Sequence, residues 1–225
     1  MRKIIFTTKF LLLALIFFSQ LTLPISNRAF SQKTSDSAAE QWSLRQKEIE
    51  LFYQEGDLQS ALNIAQEAVS LAETAFGSAS LETISSLLLQ AQIHSEIDQL
   101  EEANQIYQTA LETTVSALGE SNHVTLSVLD SYGQFLNSID PEMAEPIMTE
   151  ALRLSEDEDP QRAPRMKALG QNFQEMGRIS EAEEMLNEAL KAFQSLVGEK
   201  DAETLSTMAV LAQLNMSQGK LNPAQ

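Results

Sequence analysis

The residues able to do chemistry in this chain are few, and their spacing narrows the chemistry further. The 225 residues include two histidines, His94 and His123, and no cysteine. Disulfides, a thiol nucleophile, a lipid anchor on cysteine and any cysteine-based zinc site are therefore excluded. The two imidazoles lack the spacing of a metal pair. The acidic run Glu156-Asp157-Glu158-Asp159 has neither the glycine nor the alternating ligands of a calcium loop, and reads as solvated surface. Serine is abundant, but no G-x-S-x-G elbow frames a nucleophile. No glycine-rich phosphate loop occurs. Neither an enzyme, nor a metal, nor a cofactor is expected. What remains is hydrogen bonding by neutral side chains. Gln92, Gln134, Gln171 and Gln213 recur at intervals of 42, 37 and 42 residues. Ser85 and Ser127 stand seven residues before the first two, and Asn137 and Gln174 stand three after the middle two. Spacings of seven and three put all eight on matching helical faces. A primary amide offers two donors and an acceptor. A column of them hydrogen-bonds the backbone of an extended peptide with little regard for its side chains. The plainer alternative is that duplicated segments inherited a neutral, exposed residue.

The elements that must carry these side chains are clearest at Met166–Ala189. Met166, Leu169 and Phe173 fall on one helical face, with Gly170 beside them. Gly170 weakens a helix, which makes sense if another helix approaches its backbone closely. Gly177 supplies a left-handed stop. Ser180 with Glu183 reads as a capping box that opens a second helix. That helix carries Ala182, Leu186 and Ala189 on one stripe. Neither helix buries its stripe alone, so each needs neighbours.

Copies of this helix pair recur along the chain. Gly170 corresponds to Ala91, Gly133 and Ala212, with Ile49 as a degenerate first copy. Gly177 corresponds to Gly56, Asp98, Asp140 and Gly219. The pair Ala182 and Ala189 corresponds to Ala61 and Ala68, Ala103 and Ala110, and Ala144 and Ala151, always seven apart. A glycine follows the second helix at Gly77, Gly119 and Gly198. The third copy has Pro160 there and a shorter loop, which accounts for the 37-residue interval. A multi-point pattern in four copies signals a helical repeat array. His94 sits in the column of Phe52, Leu136 and Phe173 and is expected in the core; His123 sits in a loop before a helix. Most methionines lie on the apolar stripes and read as core filling.

The pattern resembles the tetratricopeptide repeat (TPR) over residues 41–225. The best match is Met166-x2-Leu169-Gly170-x2-Phe173 followed by Ala182-x3-Leu186-x2-Ala189. The 42-residue period and the Gly-x5-Thr joints at Gly77 to Thr83, Gly119 to Thr125 and Gly198 to Thr204 resemble the longer-helix repeats of kinesin light chains. The resemblance implies an all-α, right-handed solenoid of about four helix pairs closed by one unpaired helix. It also implies that first helices line a concave groove into which Gln92, Gln134, Gln171 and Gln213 point. The chain departs from two relatives of this type. It has no basic clamp for a C-terminal carboxylate, with Lys167 the one candidate. The asparagine that kinesin light chains place two before the small residue is replaced by Leu89, Ser131, Ala168 and Val210.

Composition and the N-terminus bear on partner and location. The formal net charge is −17, and no Lys or Arg occurs between Glu48 and Glu150. Such a surface opposes nucleic acid and favours a basic partner, although solubility alone also explains it. Residues 1–31 combine Arg2, Lys3 and Lys9 with the apolar run Phe10–Phe18, no acidic residue, and small residues at Ala29 and Ser31. This is the pattern of a secretory signal peptide cleaved after Ser31. The run is short for a membrane span of about 20 residues. Residues 32–40 read as a linker, with Asp36 or Ser37 capping the first helix. The expected function is an exported scaffold that binds a peptide or protein segment in its groove. The alternatives are a self-assembling module, in which the exposed last helix pairs with another copy, and a membrane-anchored adaptor if the signal stays attached.

Overall fold

The computed structural model describes residues 25–217, with side chains described from 34 to 216. The described chain is helical throughout, without strands. Its helices are α1 (Ile25–Glu55), α2 (Leu58–Phe76), α3 (Leu81–Glu96), α4 (Leu100–Leu118), α5 (His123–Ile139), α6 (Pro141–Leu154), α7 (Arg162–Glu175), α8 (Ile179–Leu196) and α9 (Ala202–Ser217). Each helix packs on its neighbours in sequence. In addition α3 touches α5, α5 touches α7 and α7 touches α9, whereas α2, α4, α6 and α8 do not touch one another. The first helices of successive pairs therefore form an inner layer and the second helices an outer one. Among the described residues no helix is long and apolar enough to cross a membrane.

Small residues set how closely the layers approach. Ala61, Ala68, Ala103, Ala110, Ala144, Ala151, Ala182 and Ala189 are all buried. A Cβ added at Gly170 would stand 2.8 Å from Leu186 Cγ, and one at Gly133 would stand 2.9 Å from Met148 Cγ. The glycine that costs helix propensity thus lets α8 lie against the α7 backbone. Ala91 does the same work fully buried. Ala212 is exposed, because no second helix follows α9 among the described residues. His94 is buried as expected, with Nδ1 2.6 Å from Gln99 Oε1. His123 is the exposed first residue of α5.

The turns within pairs share one geometry in three cases. Gly56, Asp98 and Gly177 have φ of 77°, 64° and 72°. In each, the following amide donates to a carbonyl five residues back: Asp57 to Phe52, Gln99 to His94, and Arg178 to Phe173. This is the left-handed wrap that satisfies the last carbonyls of a helix. Asp140, grouped with them by its column, departs. Its φ is −155° and its ψ 108°, because the residue before a proline is pushed to extended backbone. Asp140 instead caps α6, accepting from Glu142 N at 2.9 Å, with Pro141 at the first helical position.

Two further expectations change. Ser180 is not a cap: α8 opens at Ile179, the cap position is Arg178, and Ser180 lies inside the helix. Arg178 instead lies 4.4 Å from the Phe173 ring centroid and pairs with Glu181 and with Glu145 at 2.6 Å. Residues 32–40 are not a linker but part of α1, and Asp36 and Ser37 lie within it rather than at its start. The reason is contact with the next helix. Ala38 is buried, and Ser35 Oγ donates to Ala75 O at 2.9 Å. Farther along, Trp42 packs edge-on against Phe76 and its Nε1 donates to Ser86 Oγ at 2.9 Å. Arg2 to Phe18, and the incomplete turn from Gly219 onward, lie outside the described residues.

Candidate partner-binding groove

The inner layer is built by α1, α3, α5, α7 and α9, and the amide column runs along it. Gln92, Gln134 and Gln213 are exposed, and Gln171 is half-buried. Ser85 and Ser127 are exposed, and Asn137 and Gln174 half-buried. The structure brings Ser85, Gln92 and Gln134 to one cleft of about 510 Å³ between α3 and α5. Its apolar floor comes from Leu88, Leu89, Tyr107 and Phe135, and Ser95, Glu96 and Ser131 complete its rim. Tyr107 stacks on Tyr132 with centroids 5.5 Å apart, and burial pushes its hydroxyl pKa up to about 12. The floor is thus aromatic and uncharged. A second cleft of about 490 Å³ adjoins it between α1 and α3, where Glu50 and Tyr53 face Gln92. Ser127, Gln171, Gln174, Gln213 and Asn137 line neither cleft.

The polar residues differ in how far they are already engaged. Gln92 Nε2 donates to Glu96 Oε1 at 3.0 Å and to Tyr53 Oη at 3.3 Å, while Tyr53 itself donates to Glu96. Burial, then the bond to Glu96, raises the Tyr53 pKa. Ser85 and Ser127 donate back to their own helices, to Glu82 O and His123 O. Asn137 is committed to structure: it donates to Glu175 at 2.7 Å and accepts from the fully buried Asn172 at 2.6 Å. Lys167 is committed as well, donating to Glu203 and to Ser206, each at 2.9 Å. The Gln134 and Gln171 amides make no hydrogen bond to another described side chain or backbone group, and so have their full capacity to offer.

Several polar residues that shape this face were not singled out from the sequence. Asn172 stands in a column otherwise filled by Ile93, Phe135 and Leu214, and its amide holds Pro141 O at 2.8 Å. Arg165 is buried in a column of Leu44, Ser86, Val128 and Thr207. It donates to both carboxylate oxygens of Asp130, at 2.8 and 2.9 Å, and to Asp159 at 2.5 Å. A charged or amide residue in an otherwise uncharged column was the available signal for both. Burial raises the Asp130 pKa, outweighing the two bonds from Arg165. For Asp159 burial acts in the same direction, but bonds from Gln161 N and Arg165 hold its carboxyl below the usual range. Among the described residues, no cluster of three or more His, Asp or Glu is arranged to hold a metal ion.

The repeat geometry now has an independent counterpart. A family model described as tetratricopeptide repeat matches residues 49–114, which span α1 to α4. The chain folds as a tetratricopeptide-repeat solenoid. Solved structures agree over most of the TPR array. The nearly identical TPR-like repeats of a putative kinesin light chain from Podosopora anserina share 16% identity and a TM-score of 0.65, over 83% of this chain and 89% of that one. BtubC (BKLC) from P. vanneervenii gives 18% and 0.67, over 84% of each chain. PilF of Pseudomonas aeruginosa gives 19% and 0.57, over 82% of this chain and 72% of that one. At such identities the likeness is one of fold. No curated protein matches the sequence. TPR arrays are in general scaffolds for protein contacts rather than enzymes.

Proposed function

We propose that this TPR array is an exported, non-enzymatic scaffold that holds an extended segment of a partner protein along its inner layer. The observation that carries the reading is the α3–α5 cleft. Gln92 and Gln134 flank an apolar floor there, and the Gln134 amide is unengaged. A peptide laid across it would bury small apolar side chains on Leu88, Leu89, Tyr107 and Phe135 and exchange backbone hydrogen bonds with the amides. Glu50 and Glu96 outnumber the one cation, Lys47, at the rims and favour a segment carrying Lys or Arg, and the net charge of −17 would speed its approach. Export rests on the N-terminal signal pattern alone.

The test is affinity capture from the exported fraction of the host, using the protein and a variant with Gln92, Gln134 and Gln171 all changed to Ala. The partner recovered by the unaltered protein is expected to be lost from the variant, with helicity and melting unchanged. Capture that survives the triple change removes the amide column from the mechanism. Sequencing the mature N-terminus in the same preparation checks export, with Gln32 as the expected first residue.

A further inference from the structure

The outer side of α9 carries a complete apolar stripe with nothing on it among the described residues. Leu205, Met208 and Met216 are 53%, 46% and 66% exposed. Ala202, Ala209 and Ala212 between them are also exposed. At 100° per residue these six fall on one arc of about 120°, without a polar interruption. Glu203, Ser206 and Gln213 lie to one side of it, on the groove face. The opposite face of α9 is packed, with Thr204, Thr207, Leu211 and Leu214 buried. In the preceding pair, the corresponding positions Ala163, Met166 and Gly170 are covered by Phe193, Ala189 and Leu186 of α8. The stripe on α9 is therefore a seat for an antiparallel helix.

We propose that a second copy of the chain fills this seat, with two α9 helices pairing antiparallel about a two-fold axis. The argument for a copy is the order of the stripe. Four of the six stripe residues, Leu205, Ala209, Ala212 and Met216, are spaced four, three and four, which reads the same in both directions. An antiparallel pair centred between Val210 and Leu211 sets Ala209 of each copy against Ala212 of the other. The small residues then meet at the crossing, where close approach is needed, and Leu205 meets Met216 at each end. Such a two-fold contact is self-complementary, as an isologous interface must be. Charge points to the same place. The chain carries a net charge of −17, so two copies repel over most of their surface, yet Glu203 is the one charged residue of α9. A 16-residue helix is about 24 Å long, so one helix from each copy makes a small interface.

Sedimentation velocity on the full chain tests this across the micromolar range. A shift from monomer to dimer is expected, weakened about tenfold or more by Ala212→Glu, which would bury a charge at the crossing. Ala212 is exposed in the monomer, so helicity should not change. The absence of native cysteine allows the register to be read directly. Mixed Leu205→Cys and Met216→Cys chains should form a disulfide-linked pair on mild oxidation, and neither variant alone should. A monomer at every concentration, dimerisation indifferent to Ala212→Glu, or efficient linking by either single variant alone would each overturn the proposal.

Discussion

The third helix pair and the joint that follows it are held in a different way from the other pairs. At the regular joints a threonine closes the loop. Thr83, Thr125 and Thr204 are fully buried, and each donates from Oγ1 to the carbonyl of the glycine six residues earlier, at 2.7 to 2.8 Å. Those glycines have φ of 93° to 95°, which lets the chain turn sharply between α2 and α3, α4 and α5, and α8 and α9. Between α6 and α7 there is neither glycine nor threonine. Arg162 Nη1 reaches Leu152 O and Ser155 O instead, each at 3.0 Å, and Arg165 ties the loop residue Asp159 to Asp130 on α5. A neutral, backbone-encoded joint has been replaced by a charged clasp built from side chains. The two solutions should respond differently to mutation and to pH.

The largest effect should come from cutting the clasp. Arg165→Met keeps the apolar stem but leaves Asp130 and Asp159 facing each other without their cation. Loss of one partner from a buried pair should cost about 3 kcal/mol in urea unfolding followed by circular dichroism. A cost below about 1 kcal/mol would mean the clasp contributes position but little stability. Acid should reach this joint and spare those before α3 and α5, whose helix caps are the neutral Ser80 and Asn122. Asp159 is held below its ordinary range, so its contribution is complete above that range and is lost as pH falls through the depressed value. Asp130 is raised, so it works in the opposite sense, its ionisation opposing the fold as pH rises through its own value. Asp159→Asn should therefore flatten the acid limb of the stability profile. A limb unchanged by it would place the acid sensitivity elsewhere.

The regular joints should fail through the backbone. Gly119 has φ 93° and ψ 162°, a region almost closed to other residues, and an added Cβ there would meet nothing within 4 Å. Gly119→Ala should thus cost about 2 kcal/mol from strain alone, without any pH dependence. Gly77→Ala should match it, since Gly77 has φ 93° and ψ 158°. Ser155, which opens the α6–α7 loop at φ −76° and ψ 139°, carries no such strain. Unequal costs at Gly119 and Gly77 would show that the joints are less alike than their shared geometry indicates.

How much of this was legible depends on whether position or partner decided the outcome. The solenoid was legible because Ala and Gly at fixed spacing can only serve close packing, and Gly170 under Leu186 bears that out. The Gly-x5-Thr spacing was visible, but its cause was not, since a hydroxyl reaching a carbonyl six residues back leaves no mark in periodicity. The clasp was hidden for a different reason. Asp130 and Arg165 lie 35 residues apart across the one irregular interval, so no column aligns them. In the candidate groove, the sequence placed Gln92 and Gln134 on one face, and the structure puts both at one cleft. It could not reveal that Asn137 answers to Glu175 and Asn172, because those partners belong to other columns. The linker reading of residues 32–40 weighed their polar composition, which says nothing of Trp42 and Ala38 docking the helix onto α2 and α3.

The smallest effect offers the sharpest separation of the third pair from the rest, because it predicts opposite signs for one substitution. Asp98 and Asp140 occupy the same column, and both end a first helix. Asp98 holds φ 64°, where a Cβ is disfavoured and glycine is at ease. Asp98→Gly should release that strain and stabilise by about 0.5 kcal/mol, the gain being reduced by the added freedom of the unfolded chain. Asp140 holds φ −155° ahead of Pro141 and caps α6 through Glu142 N. Asp140→Gly relieves no strain, removes the capping oxygen and loosens the unfolded chain, so it should destabilise by a few tenths of a kcal/mol. Melting temperatures of the two variants, measured side by side, should move in opposite directions. A gain in both would mean that the turn before Pro141 is strained in the same way as its counterparts and that the third pair differs at its joint alone, and a loss in both would mean that Asp98 holds no strain for glycine to release.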